Sequence, residues 1–411
     1  METLKLAWKN IWRNRRRTLI TLTAMGFSLF LLQTFHNLSF GVYAQMVDSG
    51  VRAGSGHIAV YRDDYVRSRD EKLSFPEEGL SRKIAELKGV QQVLPRIYLP
   101  GLAQSSRESR GIVLLGVDPL AESGINPFWK NLPADQTLSS RSSRDALVGA
   151  RLLKELKIGR GNKFVVTVQN RNGELTSELL RVRGILRTGL KEVDGGMVMV
   201  GRERAAAMAG IGNEIHELAV ILSRADDEPR LLPAIRKLSA DRPELQPTPW
   251  ELAMPNLADA IQLDYTSQKF IFVIILLIVT IGVINTLLMS VMERIREFGV
   301  ILALGASPIR LGAMVLAEAL LLGIGSMLSG TLLGCCSTWY LASHGLDLRQ
   351  LVSENLEFGG VVFDPIMRAA WDFPWMLQIG CYVILLCLLA SIYPAVKAAR
   401  IAPAEAMRKT G

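Results

Sequence analysis

Few residues in this chain could carry chemistry by type and spacing. The four histidines, His36, His57, His216 and His344, are scattered, and no Ser–His–Asp or paired-carboxylate arrangement can be assigned among them. All four cysteines, Cys335, Cys336, Cys381 and Cys387, fall in apolar runs with no Cys–His metal spacing; they read as small polarizable packing residues. The run nearest to a phosphate loop, Gly159-Arg160-Gly161-Asn162-Lys163, lacks the G-x-x-x-x-G-K-[ST] spacing and reads as a turn. The expectation is no catalytic residue, no metal site and no cofactor held by the chain itself. One dense charged segment remains, Glu293-Arg294-Ile295-Arg296-Glu297-Phe298-Gly299-Val300-Ile301-Leu302-Ala303-Leu304-Gly305-Ala306-Ser307. It reads as a charged helix exit followed by a short amphipathic helix. Glu293 and Glu297 would share a face, Ile301, Leu302 and Leu304 supply an apolar side, and Gly305 can end the helix in a left-handed turn. Such an element either docks a partner protein or simply connects two helices.

The elements that must position this segment are apolar. Four stretches, roughly Thr18 to Phe40, 269–292, 311–334 and 374–396, approach the ~20 residues a helix needs to cross a bilayer. Hydrophobic residues make up 49% and charged residues 21%, which suits neither a chain wholly in lipid nor one wholly in water. The fold class expected is a multi-pass α-helical membrane protein, four transmembrane helices in a one-plus-three layout, with a large α+β extracytoplasmic domain. The parts are a leader (1–17), helix 1 (18–44), a periplasmic domain (45–267), helix 2 (268–292), a loop (293–310), helix 3 (311–342), a periplasmic loop (343–373), helix 4 (374–396) and a tail (397–411). Val42-Tyr43-Ala44 loosely matches a cleavage site, but the apolar run and basic leader are too long for a signal peptide, so helix 1 is expected to be retained.

Charge sets the expected orientation. Lys5, Lys9, Arg13, Arg15, Arg16 and Arg17 lie in the leader, Arg294, Arg296 and Arg310 in the 293–310 loop, and Lys397, Arg400, Arg408 and Lys409 in the tail. The 343–373 loop has Arg349 and Arg368 against Asp347, Glu354, Glu357, Asp364 and Asp372. The positive-inside rule then puts both termini in the cytoplasm and the large domain across the membrane. The net charge of +8 therefore reads as topology and attraction to anionic headgroups, not as nucleic-acid binding.

Within the large domain, alternating strand-like and helix-like runs suggest two small α+β lobes meeting in the segment 119–145. The prolines Pro243, Pro247, Pro249 and Pro255 suggest an extended return to the membrane. Helix 1 is polar for a span, with Thr18, Thr21, Thr23, Ser28, Gln33, Thr34, His36 and Asn37, so it either lines a bundle interior or cavity or satisfies these groups on its own backbone. Helix 3 carries Gly323, Gly325 and a GxxxG pair, Gly330 and Gly334, expected to pack closely on a partner helix. Glu318 lies about two turns inside helix 3; with no acidic or histidine partners at its depth it reads as structural rather than as a proton relay.

The 293–307 run resembles the E-R-x-R-E-x-G-x-x-x-A-L-G-A-S signature of the FtsX-like permease family, which includes MacB-type and lipoprotein-releasing (Lol-type) ABC transporters. The leader Leu6-Ala7-Trp8-Lys9-Asn10-Ile11-Trp12-Arg13-Asn14-Arg15-Arg16-Arg17 and the tail Tyr393-Pro394-Ala395 through Ala398-Ala399-Arg400-Ile401-Ala402-Pro403-Ala404-Glu405-Ala406 resemble that family too. The resemblance implies a permease, paired with a second copy or a paralogue, resting on a dimer of cytoplasmic ABC ATPases that bind ATP and Mg and are supplied in trans. It implies Glu293, Arg294, Arg296, Glu297, Gly305 and Ala306 as ATPase contacts. The run Gly184-Ile185-Leu186-Arg187-Thr188-Gly189-Leu190-Lys191-Glu192-Val193-Asp194 looks more like the Lol-type permeases. It favours release of lipoproteins or lipid-type substrates from the inner membrane to a periplasmic carrier; MacB-type efflux through an adaptor and FtsX-type control of cell-wall hydrolases stay open. For a lipidated substrate, Phe270, Phe272, Ile275, Leu276 and Val279 are candidate lining residues of a laterally open apolar cavity.

Overall fold

A computed structural model describes residues 2–77, 79–130, 132–138, 140–348, 357–358, 361–362 and 366–401. Arg349, Glu354, Asp364, Arg408, Lys409 and the tail motif from Ala402 lie outside the described residues. The chain divides into two compact units, one of residues 1–43, 263–347 and 366–411 and one of residues 44–262 and 348–365.

The first unit is helical. A leader helix, Glu2–Arg13, precedes four helices long and apolar enough to cross a membrane: Arg15–Ala53, Pro255–Glu293, Pro308–Ser343 and Phe373–Ala399. The first two outrun the spans expected from hydropathy because their polar ends stay helical. Pro255 opens the second helix instead of prolonging an extended segment; at a first helical position its missing N–H costs nothing. A short helix, Ile295–Ala303, occupies the loop between the second and third.

Polar residues of the first helix face its neighbours. Gln33 Nε2 donates to Thr331 Oγ1 (3.1 Å) and to the Met376 carbonyl (3.2 Å), Asn37 Nδ2 donates to Thr338 Oγ1 (3.0 Å), and Thr34 and Ser337 hydroxyls lie 2.6 Å apart. His36 stacks on Trp375 with ring centroids 3.7 Å apart and reaches Asp372 at 3.0 Å. Thr21 bonds both its own Arg17 carbonyl and Thr286, each at 3.1 Å. Ser28 bonds only its own helix, at the Ala24 carbonyl. The polar stripe is thus interhelical glue, since lipid offers such groups no alternative partner.

The second unit is an α+β domain whose sheet is mainly antiparallel. Its sheet strands are β1 (Ile58–Arg62), β2 (Val90–Gln104), β3 (Ser109–Val117), β4 (Asp145–Gly149), β5 (Lys163–Gln169), β6 (Leu175–Leu186), β7 (Met197–Gly201), β8 (Glu217–Leu222) and β9 (Leu245–Pro249). They run in the order β9-β1-β8-β2-β3-β7-β4-β6-β5, and β5 also pairs with β2. The last six therefore close into a ring. Closure demands close approach: a Cβ on Gly101 of β2 would meet the Thr167 carbonyl oxygen of β5 at 2.6 Å.

The two-lobe expectation needs correction. No boundary falls in 119–145, because β2 belongs to both halves of one sheet. Its first residues pair with β8 (Arg96 opposite Glu217), and from Ile97 onward it pairs with β3. A single apolar core, including Ile58, Ile97, Leu114, Val148, Phe164, Val182, Val200 and Val220, runs through both. Sequence alternation shows each strand but cannot show a strand shared between two sheet segments.

A buried charge cluster fastens this domain to the last turn of its entering helix. Fully buried Arg96 forks onto Glu122 (2.6 and 3.0 Å), lies 3.6 Å from Glu217, and donates to the Gly54 carbonyl. Tyr61 and Tyr98 hydroxyls donate to Glu217 at 2.7 and 3.0 Å. Burial and the adjacent carboxylate push both tyrosines well above the usual phenol range. The guanidinium suits this role because its planar fork satisfies carboxylate and helix-end carbonyls at once.

His57 supplies a pH-sensitive contact. It is 2% exposed, and its Nδ1 accepts the Leu222 N–H at 3.2 Å, so protonation there would cost the bond. Burial holds the ring down to about 4. A depressed histidine favours folding above its unfolded value, near 6.5, and that contribution is lost as pH falls toward 4, a difference of about 3 kcal/mol. Denaturant titrations from pH 7 to 4 should show the native chain losing about that much more stability than His57→Asn, whose amide oxygen can still accept the Leu222 N–H. Parallel curves would contradict it.

Candidate functional site: the joint of leader, loop helix and bundle

The short helix in the 293–310 loop is held by one buried ion pair. Glu318, 5% exposed on the third long helix, accepts from Arg294 Nη1 at 2.8 Å and from Asn10 Nδ2 of the leader helix at 2.9 Å. Three elements meet at one carboxylate. Arg294 sits at the break between the second long helix and the short helix, where its φ of −111° departs from helical geometry. Its guanidinium lies 5.0 Å from the Phe298 ring and 3.3 Å from Glu297. Phe298, 1% exposed, plugs into an apolar cluster of Val291, Leu311, Val315 and Ala398. The leader adds two clasps at the surface, Arg13 to Glu297 at 2.5 Å and Arg17 to Glu293 at 2.7 Å. Those pairs are half-exposed and contribute little each. The buried pair is the one whose rupture is expensive, since either partner alone would be a charge out of water.

Glu293, Arg294 and Glu297 are all paired within the unit, Arg294 almost fully inside while the two carboxylates stay part-exposed at the surface. Arg296 is exposed. Gly305 adopts φ +91° with open space around it, and the bonds Gly305 N to Leu302 O (3.0 Å) and Ala306 N to Ile301 O (3.2 Å) form a Schellman stop. What the loop does present is apolar: Leu304 and Ile309 are each 83% exposed, flanking the Gly305–Ala306 turn. Sequence placed Leu304 on the apolar side of the loop helix and passed over Ile309; the signal that could have singled out both is an apolar residue on either side of a Gly-Ala-Ser-Pro turn.

The glycines of the third long helix serve two neighbours. A Cβ on Gly330 would meet the Gly26 carbonyl at 2.7 Å and one on Gly334 would meet Gln33 at 2.4 Å, so the GxxxG face lies on the first helix. Gly323 instead faces Ile384 and Cys387 of the fourth. Of the five candidate lining residues, Phe272, Ile275, Leu276 and Val279 pack onto the apolar cluster shared by the long helices. Phe270 does not join them; it is 69% exposed on the opposite face, with Ile274, Ile278 and Ile281. The helical period separates them, since 270 is about 160° from the 272–276–279 stripe along the helix. Among the described residues no group of His, Cys, Asp and Glu could hold a metal.

Replacing Glu318 by Leu should strand Arg294 and cost roughly 3–5 kcal/mol, with the leader released so that trypsin cuts at Arg13–Arg17 several-fold faster. Adding Arg294→Met removes both charges and should recover most of the stability. If Glu318→Leu alone leaves melting and proteolysis unchanged, the joint is not what holds the loop.

Residues 269–403 match the family model described as FtsX-like permease C-terminal. Over 327 residues the chain is 23% identical to the lipoprotein-releasing system transmembrane protein LolC of Neisseria meningitidis serogroup B, covering 78% of this chain and 79% of that one. It is 20% identical over 337 residues to LolE of Haemophilus influenzae, covering 80% of each. Among solved structures it is similar to the periplasmic region of MacB from Actinobacillus actinomycetemcomitans, at 13% identity and a TM-score of 0.35 over 49% of this chain and 92% of that one. The matched region contains the short loop helix, its buried Arg294–Glu318 pair and three of the four long helices, so the likeness to FtsX-like permeases rests on this part of the chain.

Proposed function

We propose that this chain is the membrane subunit that receives force from a separate cytoplasmic ABC ATPase dimer through the 293–310 loop, and that its output is release of lipoprotein or a similar lipidated substrate from the inner membrane. The observation that carries the coupling role is the exposed Leu304–Ile309 tip, borne by a helix whose other side is anchored through Phe298 and Arg294. An apolar knob on a rigid stem transmits displacement, whereas a loose connector would absorb it. ATP and Mg belong to the partner in this reading.

The leader fits a membrane-surface role in the same cycle. Ala7 and Ile11 face the bundle while Trp8 and Trp12 are exposed, edge to face at 5.9 Å, beside Lys9 and Arg13. Aromatic and basic residues on one helix suit the headgroup region on the cytoplasmic side. With both termini there, the α+β domain lies in the periplasm, where a lipoprotein carrier would meet it. The exposed apolar face of the second long helix suits acyl chains or a second permease copy. Relatives named for lipoprotein release, matching across most of both chains, support that output over efflux.

Purification of the tagged chain from native membranes in nanodiscs should bring down an ATPase and triacylated peptides. Leu304→Asp with Ile309→Asp should lose the ATPase at least tenfold while leaving folding and lipid association intact. Retention of the ATPase by that variant would remove the loop tip as the docking element. An adaptor in place of triacylated peptides would move the output to efflux.

A further inference from the structure

The α+β domain contains a cavity of about 760 Å³ beside the last turn of the first long helix. Its walls include Phe128, Leu132, Leu190, Val193, Met197 and Met254. That volume is in the range of small-molecule sites, which are apolar with a few polar groups that fix orientation. Two methionines give the wall an adaptable, polarizable surface, suited to a flexible chain more than to a rigid ring.

Two arginines line the same cavity, and they differ. Arg160 is occupied: it pairs with Asp135 and donates to the Arg183 carbonyl at 3.1 Å. Arg187 is exposed and, among the described residues, makes no hydrogen bond or ion pair. Its position is nonetheless fixed. It directly follows β6, and the next turn is pinned by one carboxylate, Asp194, which accepts from Thr188 N (2.9 Å), Thr188 Oγ1 (2.9 Å) and Gly189 N (3.0 Å). Gly189 takes φ +81°, which that turn requires. The domain thus spends a dense set of bonds on presenting a cation with no partner of its own at the mouth of an apolar cavity.

We propose that this cavity is a lipid site: it binds a single-chain anionic amphiphile, the alkyl chain against the methionine-lined wall and a carboxylate or phosphate forked on the Arg187 guanidinium. The site lies wholly within the α+β domain, and the proposal is independent of which substrate the long helices handle.

The test uses the full chain in nanodiscs with two photoactivatable diazirine probes, a palmitate and a lysophosphatidate, and maps labelled peptides by mass spectrometry. Labelling is expected within 127–136 and 187–197, and the probe that labels more strongly identifies the headgroup as carboxylate or phosphate. Arg187→Ser should reduce labelling of those peptides at least fivefold without changing labelling of the long helices, and Arg187→Lys should keep a part of it. Met197→Trp, which fills the cavity, should abolish it. Labelling confined to the long helices, or labelling of 127–136 and 187–197 indifferent to Arg187→Ser, would overturn the proposal. Absence of lipoprotein release by the unaltered chain with its ATPase, while labelling is intact, would count against the transport reading alone.

Discussion

A carboxylate inside a membrane helix is tolerated only when something compensates it, and here the compensation organises one end of the helical unit. Glu318 is buried on the third long helix and satisfied by Arg294 from the loop and Asn10 from the leader. Because an unpaired charge at that depth is so costly, the three elements cannot drift apart independently. The pair need not add net stability over an apolar substitute; what it supplies is a defined register between parts that apolar packing alone would leave free to slide.

The rest of the unit extends the same logic. Phe298 locks the short helix into the base of the second, third and fourth helices, while Gly330 and Gly334 bring the third helix against the first closely enough for Gln33, Thr34 and Asn37 to reach it. Displacement of the loop tip therefore meets a packed body and not a flexible linker. Within the α+β domain, Arg96 plays a comparable part, tying the Gly54 carbonyl at the end of the entering helix to Glu122 and to Glu217 of β8. Each unit thus uses a buried arginine where a helix end must be held against other elements.

Much of this was legible in sequence where periodicity is strong. The four apolar runs and the alternating strand-like runs of the large domain follow from hydrophobic pattern and length. The closed ring did not, because pairing of β5 with β2 is a long-range fact that alternation cannot encode. The loop was found, but its internal pairing was not: Arg17, Glu318 and Arg13, which meet Glu293, Arg294 and Glu297, lie far away in the chain. Leu304, given in sequence to the apolar side of the loop helix, is exposed, and so is Ile309. Phe270 and Phe272 are two apart in sequence and of one type, yet a helix of 3.6 residues per turn sends one to the surface and one to the bundle.

The central claim is that leader, loop helix and bundle base move as one body. A short bis-maleimide bridge between Arg13→Cys and Glu297→Cys, in a chain lacking Cys335, Cys336, Cys381 and Cys387, tests it most directly. If the joint stays closed through the cycle, the bridged complex should keep ATP-driven turnover close to that of the unbridged one. Turnover that stops on bridging and returns when a cleavable bridge is cut would mean that the leader must detach, contradicting the account.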